Sequence, residues 1–551
     1  MEGMKRVRVW AVVAVVITLL VCGICAVVYF GDKSDMGNEE RAPLTDNIVL
    51  YVDIDKLVTK SAIRNVLTNA ELNIIAGVIA VDGVENTEYV LSMLENFDNI
   101  GLNSKQPIYG YLNMNCVNGN AEQELTIVAE VSDITKLDRF ANFALANFED
   151  MEIIRDGDLR VAIGEEFVIG YNNRRLVVVN TSDGDALAQL SEALSRPWAD
   201  LSAYAKYDIA CSVRLKPVVS LMYDIVQVQC EEEESRIEKC TISWERAWLE
   251  EQLASSQKTL SILTKVDAQL AYGANMLMGV VFYNGRAVAD IVVDGYNAEF
   301  KLDKKVSNGY LKSVDENAIV VANMGVNGNA LSALISKLIT PYYADVLGVS
   351  RNQFNIYVSI LCDAIKSING DVTLAINNLY GNYYGVTSME ALVAMDVADD
   401  YIISNISRYG AGLLGRDGEN RYSLSLGGFR LALGQQVDTF YAAVNMDYKD
   451  SATPASEACW SSEVADSYGY VLVNMDSAMS NSVVTNMWSE NLKAMDDAAI
   501  DYLDYFVKAS SYMYITANTP SSAQIVVVFD DAERNALEQI VTPLVPVAVR
   551  R

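Results

Sequence analysis

The residues that could do chemistry are unevenly represented in this 551-residue sequence. It contains 72 acidic and 42 basic residues, a formal net charge of −30, and no histidine. Histidine is the usual general base, the usual zinc ligand and the base of a Ser-His-Asp triad, so these sites are excluded in their ordinary forms. Two carboxylates would suffice for a glycosidase-type hydrolase, but no carboxylate pair stands out. We therefore expect a protein that is not an enzyme and that has no catalytic residues, no cofactor and no metal.

One pair of carboxylates does lie close together in the sequence. Asp53 and Asp55 stand where a buried strand gives way to a helix, and such a pair could hold a cation or act as acid and base. Capping of the helix N-terminus by Asp55 is the simpler interpretation.

A cluster of aromatic and amide side chains is the candidate ligand loop. Tyr380, Asn382, Tyr383 and Tyr384 lie between two predicted strands, where loop side chains would be exposed. Tyrosine and asparagine on loops suit stacking on sugars and adaptable polar recognition. Ordinary turn and sheet aromatics are the alternative interpretation.

Cysteine spacing leaves one candidate disulfide. Cys230 and Cys240 bracket a short charged segment and are the one close pair among the cysteines beyond residue 30. A bond between them requires a loop, because ten residues of continuous helix would separate the two sulfur atoms by about 15 Å.

The N-terminal region predicts a membrane anchor. Residues 9–30 carry no charge and would form about 33 Å of helix, enough to cross a bilayer. Lys5, Arg6 and Arg8 precede this run and predict that residues 1–8 stay in the cytoplasm while the rest is exported. A cleaved signal peptide and a lipoprotein acylated at Cys22 or Cys25 are the alternatives. Residues 31–45 read as a polar tether.

The elements that must position these residues repeat along the chain. Apolar strands followed by helices start near residues 47, 209, 318 and 470, and strand pairs with turn residues follow each of them. The order predicts two homologous halves at 46–302 and 315–541, with a helical insert at 228–263 and a tail at 542–551. The predicted fold class is α+β: an N-terminal transmembrane helix, then two halves with antiparallel β-sheets packed by helices.

Several segments also resemble a known family. They are NIVLYVDIDKLVTKSAI from residue 47, FNIYVSILCDAIKSINGDVTLAIN from residue 354, and FDDAERNALEQIV from residue 529. With Gly370-Asp371 and Asn535-Ala536-Leu537, they resemble an uncharacterised domain-of-unknown-function family of membrane-anchored or lipoprotein envelope proteins from Bacteroidetes. The resemblance implies a location and a fold class, but no activity.

Together these features predict a non-catalytic, membrane-anchored module of the bacterial cell envelope that acts as a scaffold or binding protein. Its partners would be the membrane, through the N-terminal helix, and an envelope protein or a glycan. A glycan- or peptide-binding protein using the Tyr/Asn loop is the alternative, and a carboxylate-based hydrolase ranks last. The acidic charge excludes nucleic acid as a partner. We expect the N-terminus in the cytoplasm and the ectodomain in the periplasm.

Overall fold

The structure is a computed structural model of the chain and divides into two compact units. Unit 1 comprises Met1–Asn297 and Arg534–Arg551, and unit 2 comprises Ala298–Glu533. The structure describes residues 47–62, 84–117, 120–145, 153–164, 167–180, 186–296, 303–338, 350–382, 385–410, 412–427, 429–492 and 497–542.

The described strands of unit 1 form one antiparallel array. They are β1 (Ile48–Val52), β2 (Ile108–Val117), β3 (Asn120–Glu130), β4 (Ile153–Asp156), β5 (Leu159–Ile163), β6 (Phe167–Tyr171), β7 (Arg175–Asn180), β8 (Ile209–Arg214), β9 (Leu270–Tyr283) and β10 (Arg286–Tyr296). Their spatial order is β10-β9-β8-β1-β2-β3-β7-β6-β5-β4.

Six described helices connect these strands. They are α1 (Ile54–Ser61), α2 (Val84–Glu95), α3 (Ile134–Leu145), α4 (Ala186–Ser195), α5 (Leu215–Lys239) and α6 (Ser243–Gln269). α5 and α6 pack against each other as a helical hairpin, which we call the helical arm. The arm contains the predicted insert at 228–263, and its two helices extend beyond it at both ends.

The described strands of unit 2 pair in the same way. They are β11 (Val320–Asn327), β12 (Ile368–Asn382), β13 (Gly385–Val397), β14 (Gly415–Gly418), β15 (Arg421–Leu426), β16 (Phe429–Gln436), β17 (Thr439–Val444), β18 (Gly469–Asn474), β19 (Ser510–Thr519) and β20 (Ser522–Phe529). Their order, β20-β19-β18-β11-β12-β13-β17-β16-β15-β14, is again wholly antiparallel. The two units therefore share one strand topology.

The helices of the two units differ more than their strands do. Those of unit 2 are α7 (Gly328–Leu338), α8 (Arg351–Lys366), α9 (Tyr401–Gly410), α10 (Met475–Ser480), α11 (Ser482–Leu492) and α12 (Asp497–Lys508). The last one, α13 (Ala536–Val541), packs against α1 in unit 1. Asn535 caps α13 by accepting from the Leu537 N–H and donates its amide to the Phe282 carbonyl. The sequence assigned these residues to the second half, whereas the structure packs them in unit 1.

The membrane-spanning helix of the predicted fold class has to be corrected. In the part of the chain that the structure describes, no helix is both long and apolar enough to cross a membrane. The two longest helices there, α5 and α6, carry acidic and basic side chains along their length. The predicted span at 9–30, the tether and Lys5, Arg6 and Arg8 lie outside the described residues. The corrected class is α+β with antiparallel sheets.

A buried carboxylate anchors the centre of unit 1. Asp208 is fully buried and accepts a hydrogen bond from the Phe282 N–H at 2.7 Å. Lys60 of α1 contacts both carboxylate oxygens at 2.8 and 2.7 Å. A buried charge needs partners of this kind, because water no longer solvates it.

We expect Asp208→Ala to lower the free energy of unfolding by about 3 kcal/mol, because it leaves a buried N–H and a lysine without their acceptor. Lys508→Gln removes the exposed pair with Asp504 and is the control, with an expected change below about 0.5 kcal/mol. Urea denaturation measures both, and hydrogen exchange should assign the loss to β8 and β9. Equal effects of the two substitutions would contradict an anchoring role for Asp208.

Candidate functional site

The candidate site is a row of apolar side chains across four neighbouring strands of unit 2. Ala322 of β11 pairs with Leu374 of β12 on one side and with Val471 of β18 on the other. Val471 in turn pairs with Ile515 of β19. Directly paired residues point to the same face of a sheet, so these four side chains form one line. We call this surface the open face.

The large side chains of this row are exposed to solvent. Leu374 is 41% exposed, Val471 47% and Ile515 50%, and Met324, two residues beyond Ala322, lies on the same face and is 38% exposed. A sheet face that meets water normally carries polar side chains. Here the outward positions of the central strands are apolar, which is typical of a face that another element covers.

Unit 1 shows what such a cover looks like. The register places Gly110, Leu50, Cys211 and Met278 in the corresponding row. Leu50 and Met278 are each 9% exposed and Cys211 is 1% exposed. Leu215 and Val218 from the first turns of α5 pack against the buried cluster that contains Leu50 and Cys211. The helical arm therefore covers in unit 1 the face that stays open in unit 2.

Helices of unit 2 contact the strands of the open face, α10 and α12 at β18 and β19 and α11 at β12, but they leave Val471 and Ile515 about half exposed. Asn481, just before α11, donates its amide to Asn378 and to the Leu379 carbonyl, toward the far end of β12. Ile403 and Ile406 of α9 pack with Phe440, on the β13–β17 side. The row between these contacts is left exposed.

The opposite face of the same strands is closed by a buried carboxylate. Asp371 accepts hydrogen bonds from the backbone N–H groups of Ser307 and Asn308, at 2.9 Å each, and from the Ser307 hydroxyl. Asn323 of β11 adds a longer bond at 3.4 Å. These donors fix the segment before β11 over the sheet.

A second carboxylate supports this arrangement. Asp396 accepts from the Asp371 N–H at 2.8 Å and from the Tyr310 hydroxyl. Burial and this hydrogen bond raise the pKa of Tyr310, so the phenol stays protonated. A Cβ at Gly370, whose φ is 157°, would collide with the Asp396 carboxylate, which explains why glycine precedes Asp371.

The side chains of the open face offer no groups for catalysis. They carry no nucleophile, acid or base, and Asp371, on the other face, is 2% exposed. In the described residues, no group of three or more His, Cys, Asp or Glu side chains is arranged to hold a metal ion. The expectations of no enzymatic activity, no cofactor and no metal stay predictions.

Comparison with known proteins assigns a family. The sequence profile of DUF4836, a domain of unknown function, matches residues 39–537. The chain belongs to this family. No curated protein matches the chain.

Two solved structures show a distant likeness to this DUF4836 protein. They are crystal forms III and IV of TP0453, at 9% and 8% sequence identity and a TM-score of 0.24 each. The matches cover 47% and 46% of this chain and 79% and 81% of those chains. At such TM-scores the likeness carries no functional information.

The predicted ligand loop is shorter than the sequence suggests. Tyr380 and Asn382 lie within β12, and Tyr380 pairs with Ser388 of β13. The Tyr380 hydroxyl donates to Glu390 at 2.8 Å, and this bond raises the pKa of Tyr380. Tyr383 and Tyr384 lie outside the described residues. The loop was overestimated because strand pairing continues through polar and glycine positions.

The candidate disulfide is absent from the structure. Cys230 lies inside α5 and Cys240 immediately follows that helix, and both are free thiols. The continuous helix between them holds the sulfur atoms apart, which is the condition under which the sequence excludes the bond.

One other sequence interpretation changes in detail. Asp53, rather than Asp55, caps α1 by accepting from the Lys56 N–H at 3.0 Å. The open face was missed, although Val471, Leu374 and their neighbours lie in strands that read as apolar throughout. That pattern signals two covered faces, but it cannot say whether the chain itself supplies both covers.

Cysteine reactivity tests the structure around these thiols. Burial raises the pKa of Cys211 to about 12, and burial with the nearby Glu233 raises the pKa of Cys230. Because the thiolate is the reactive form, we expect iodoacetamide at pH 8 to modify Cys459 quickly and Cys211 and Cys230 hardly at all. Peptide mapping by mass spectrometry reads each site. If the separate Cys230 and Cys240 peptides appeared only after reduction, the two thiols would be linked and the helix could not be continuous.

Proposed function

We propose that the protein is a non-catalytic binding module and that the open face of unit 2 binds an extended hydrocarbon chain. The exposure of Leu374, Val471 and Ile515 in one cross-strand row carries this proposal. The equivalent row in unit 1 is covered by the helical arm. Unit 1 therefore shows the same strand topology with this face buried.

The dimensions of the row favour a thin ligand. Leu374 and Ile515 are three strand spacings apart, which is roughly 14 Å at about 4.8 Å per strand. The row is narrow on β12, β18 and β19, where the flanking positions on the same face are less exposed, and it widens only at Met324 of β11. One extended acyl chain laid across the strands would contact every member of the row.

The area of the row disfavours a stable protein partner. A standard protein–protein interface buries about 800 Å² on each side. Three or four half-exposed aliphatic side chains offer much less than that. A hydrocarbon chain needs no larger surface, since each buried CH₂ group contributes about 0.8 kcal/mol.

The resemblance to envelope proteins of Bacteroidetes supports a location for this activity. We propose that the module works in the bacterial cell envelope, where hydrocarbon chains are abundant. Immunodetection of the protein in fractionated cells tests the location independently of binding, and recovery in the cytosolic fraction would refute it.

Substitution of the row tests the binding proposal. The probe is N-phenylnaphthylamine, a neutral apolar fluorophore, with decanol as the competing hydrocarbon. We expect the double variant Val471→Asn/Ile515→Asn to weaken both more than tenfold, because each half-buried side chain contributes on the order of 1 kcal/mol.

The matched control makes the same chemical change elsewhere on unit 2. Leu413 and Val437 are exposed aliphatic residues outside the row, and Leu413→Asn/Val437→Asn should leave binding unchanged. Equal losses in the two double variants, or no binding by the unsubstituted protein, would refute the proposal.

A further inference from the structure

A second concave surface lies at the base of the helical arm in unit 1. It is a cleft of about 550 Å³ between the first turns of α5, the last turns of α6 and the start of β9. Small-molecule sites are commonly clefts of this size, in which an apolar lining carries a few polar groups. The cleft is built from residues separate from the open face.

The lining of the cleft combines positively charged side chains with apolar ones. Arg214 and Lys216 lie on one side of it, in a chain whose net charge is −30. Pro217, Val219 and Leu263 supply the apolar part of the lining. Such a lining matches a ligand with an anionic head and an apolar body.

The start of α5 adds to the positive potential. At the corresponding strand-to-helix junctions, side chains of Asp53, Asn327 and Asn474 accept hydrogen bonds from the first turn of the helix. Arg214 occupies the capping position of α5 and makes no such bond, and the first turn of α5 has no acidic residue. Pro217 has no N–H, so the Leu215 and Lys216 N–H groups and the helix dipole are what favour an anion at this end.

Asp267, an acidic residue in the lining, lies near Lys216 and partly offsets the positive charge of the cleft. Lys216 Nζ and Asp267 Oδ1 are 3.8 Å apart, and both side chains are partly exposed. A pair so long and so exposed is weak. An incoming anion would compete with Asp267 for Lys216.

We propose that this cleft binds an amphiphilic anion, with its carboxylate or phosphate head at Arg214, Lys216 and the start of α5. The apolar body of the ligand lies along Pro217, Val219 and Leu263. The site is additional to the open face and does not depend on it.

Calorimetric titration of the full chain tests the site. The chain carries Val471→Asn/Ile515→Asn, so that unit 2 does not contribute. Decanoate and decyl phosphate are the anionic probes, decanol is the neutral probe, and inorganic phosphate represents the head alone. We expect both anionic probes to bind once per chain and more tightly than decanol or inorganic phosphate.

Two substitutions with opposite expected effects separate binding from structure. Lys216→Gln should weaken both anionic probes about tenfold, because it removes a charged hydrogen-bond donor. Asp267→Asn should tighten them about threefold, because it removes the competing carboxylate. Lys265→Gln, on α6 but outside the cleft, is the charge-matched control and should change binding less than twofold.

The outcomes that overturn the proposal are distinct. Equal binding of decanol and decanoate would show that the positive groups take no part. Weaker binding in both Lys216→Gln and Asp267→Asn would show that the pair acts only by holding α5 against α6.

Thermal unfolding of each variant identifies loss of the fold. For a variant that fails to fold, increased ionic strength gives the second measurement. Affinity of the unsubstituted cleft for decanoate must fall with salt, and a salt-independent affinity refutes the site.

Discussion

The constraint on which both units depend is that their central strands carry apolar side chains on both faces, so that covering each face stabilises the fold. In unit 1, α5 meets this need by packing Leu215 and Val218 against the cluster that contains Leu50 and Cys211. Unit 2 has the same strand order but a different set of helices after β18, and Val471 and Ile515 stay half exposed. Exposed apolar area is unfavourable by about 25 cal/mol per Å². A ligand that covers the row therefore stabilises the folded state as it binds.

The other face is closed in both units, but by different interactions. In unit 1, fully buried Asp208 is neutralised by Lys60, whereas Asp371 in unit 2 is held by neutral N–H and hydroxyl donors. Both arrangements satisfy a carboxylate that has lost its hydration. They also fix the chain segments that cover this face, so that a ligand approaching the sheet of unit 2 meets free apolar surface on the open face.

Much of the local structure could be predicted from the sequence, and the reason is periodicity. The apolar runs at β1, β8, β11 and β18 predicted strands followed by helices, and turn residues predicted antiparallel pairing. Effects that depend on distant residues could not be predicted. The continuity of α5 decides against the Cys230–Cys240 bond, and strand pairing, not composition, places Tyr380 in β12. Coverage of a sheet face and the packing of two helices around a cleft are also long-range properties. For this reason neither proposed binding surface could be predicted.

The net charge of the chain limits which ligands the cleft at the base of the arm can hold. A field from 30 excess negative charges disfavours any anion, but salt screens it over about 8 Å, so nearby groups dominate. Arg214, Lys216 and the start of α5 act within that distance, while Asp267 opposes them. A small anion would gain only this partly cancelled attraction. Burial of an apolar body against Val219 and Leu263 is insensitive to charge and adds about 0.8 kcal/mol per CH₂ group. The cleft therefore selects amphiphilic anions over inorganic ones.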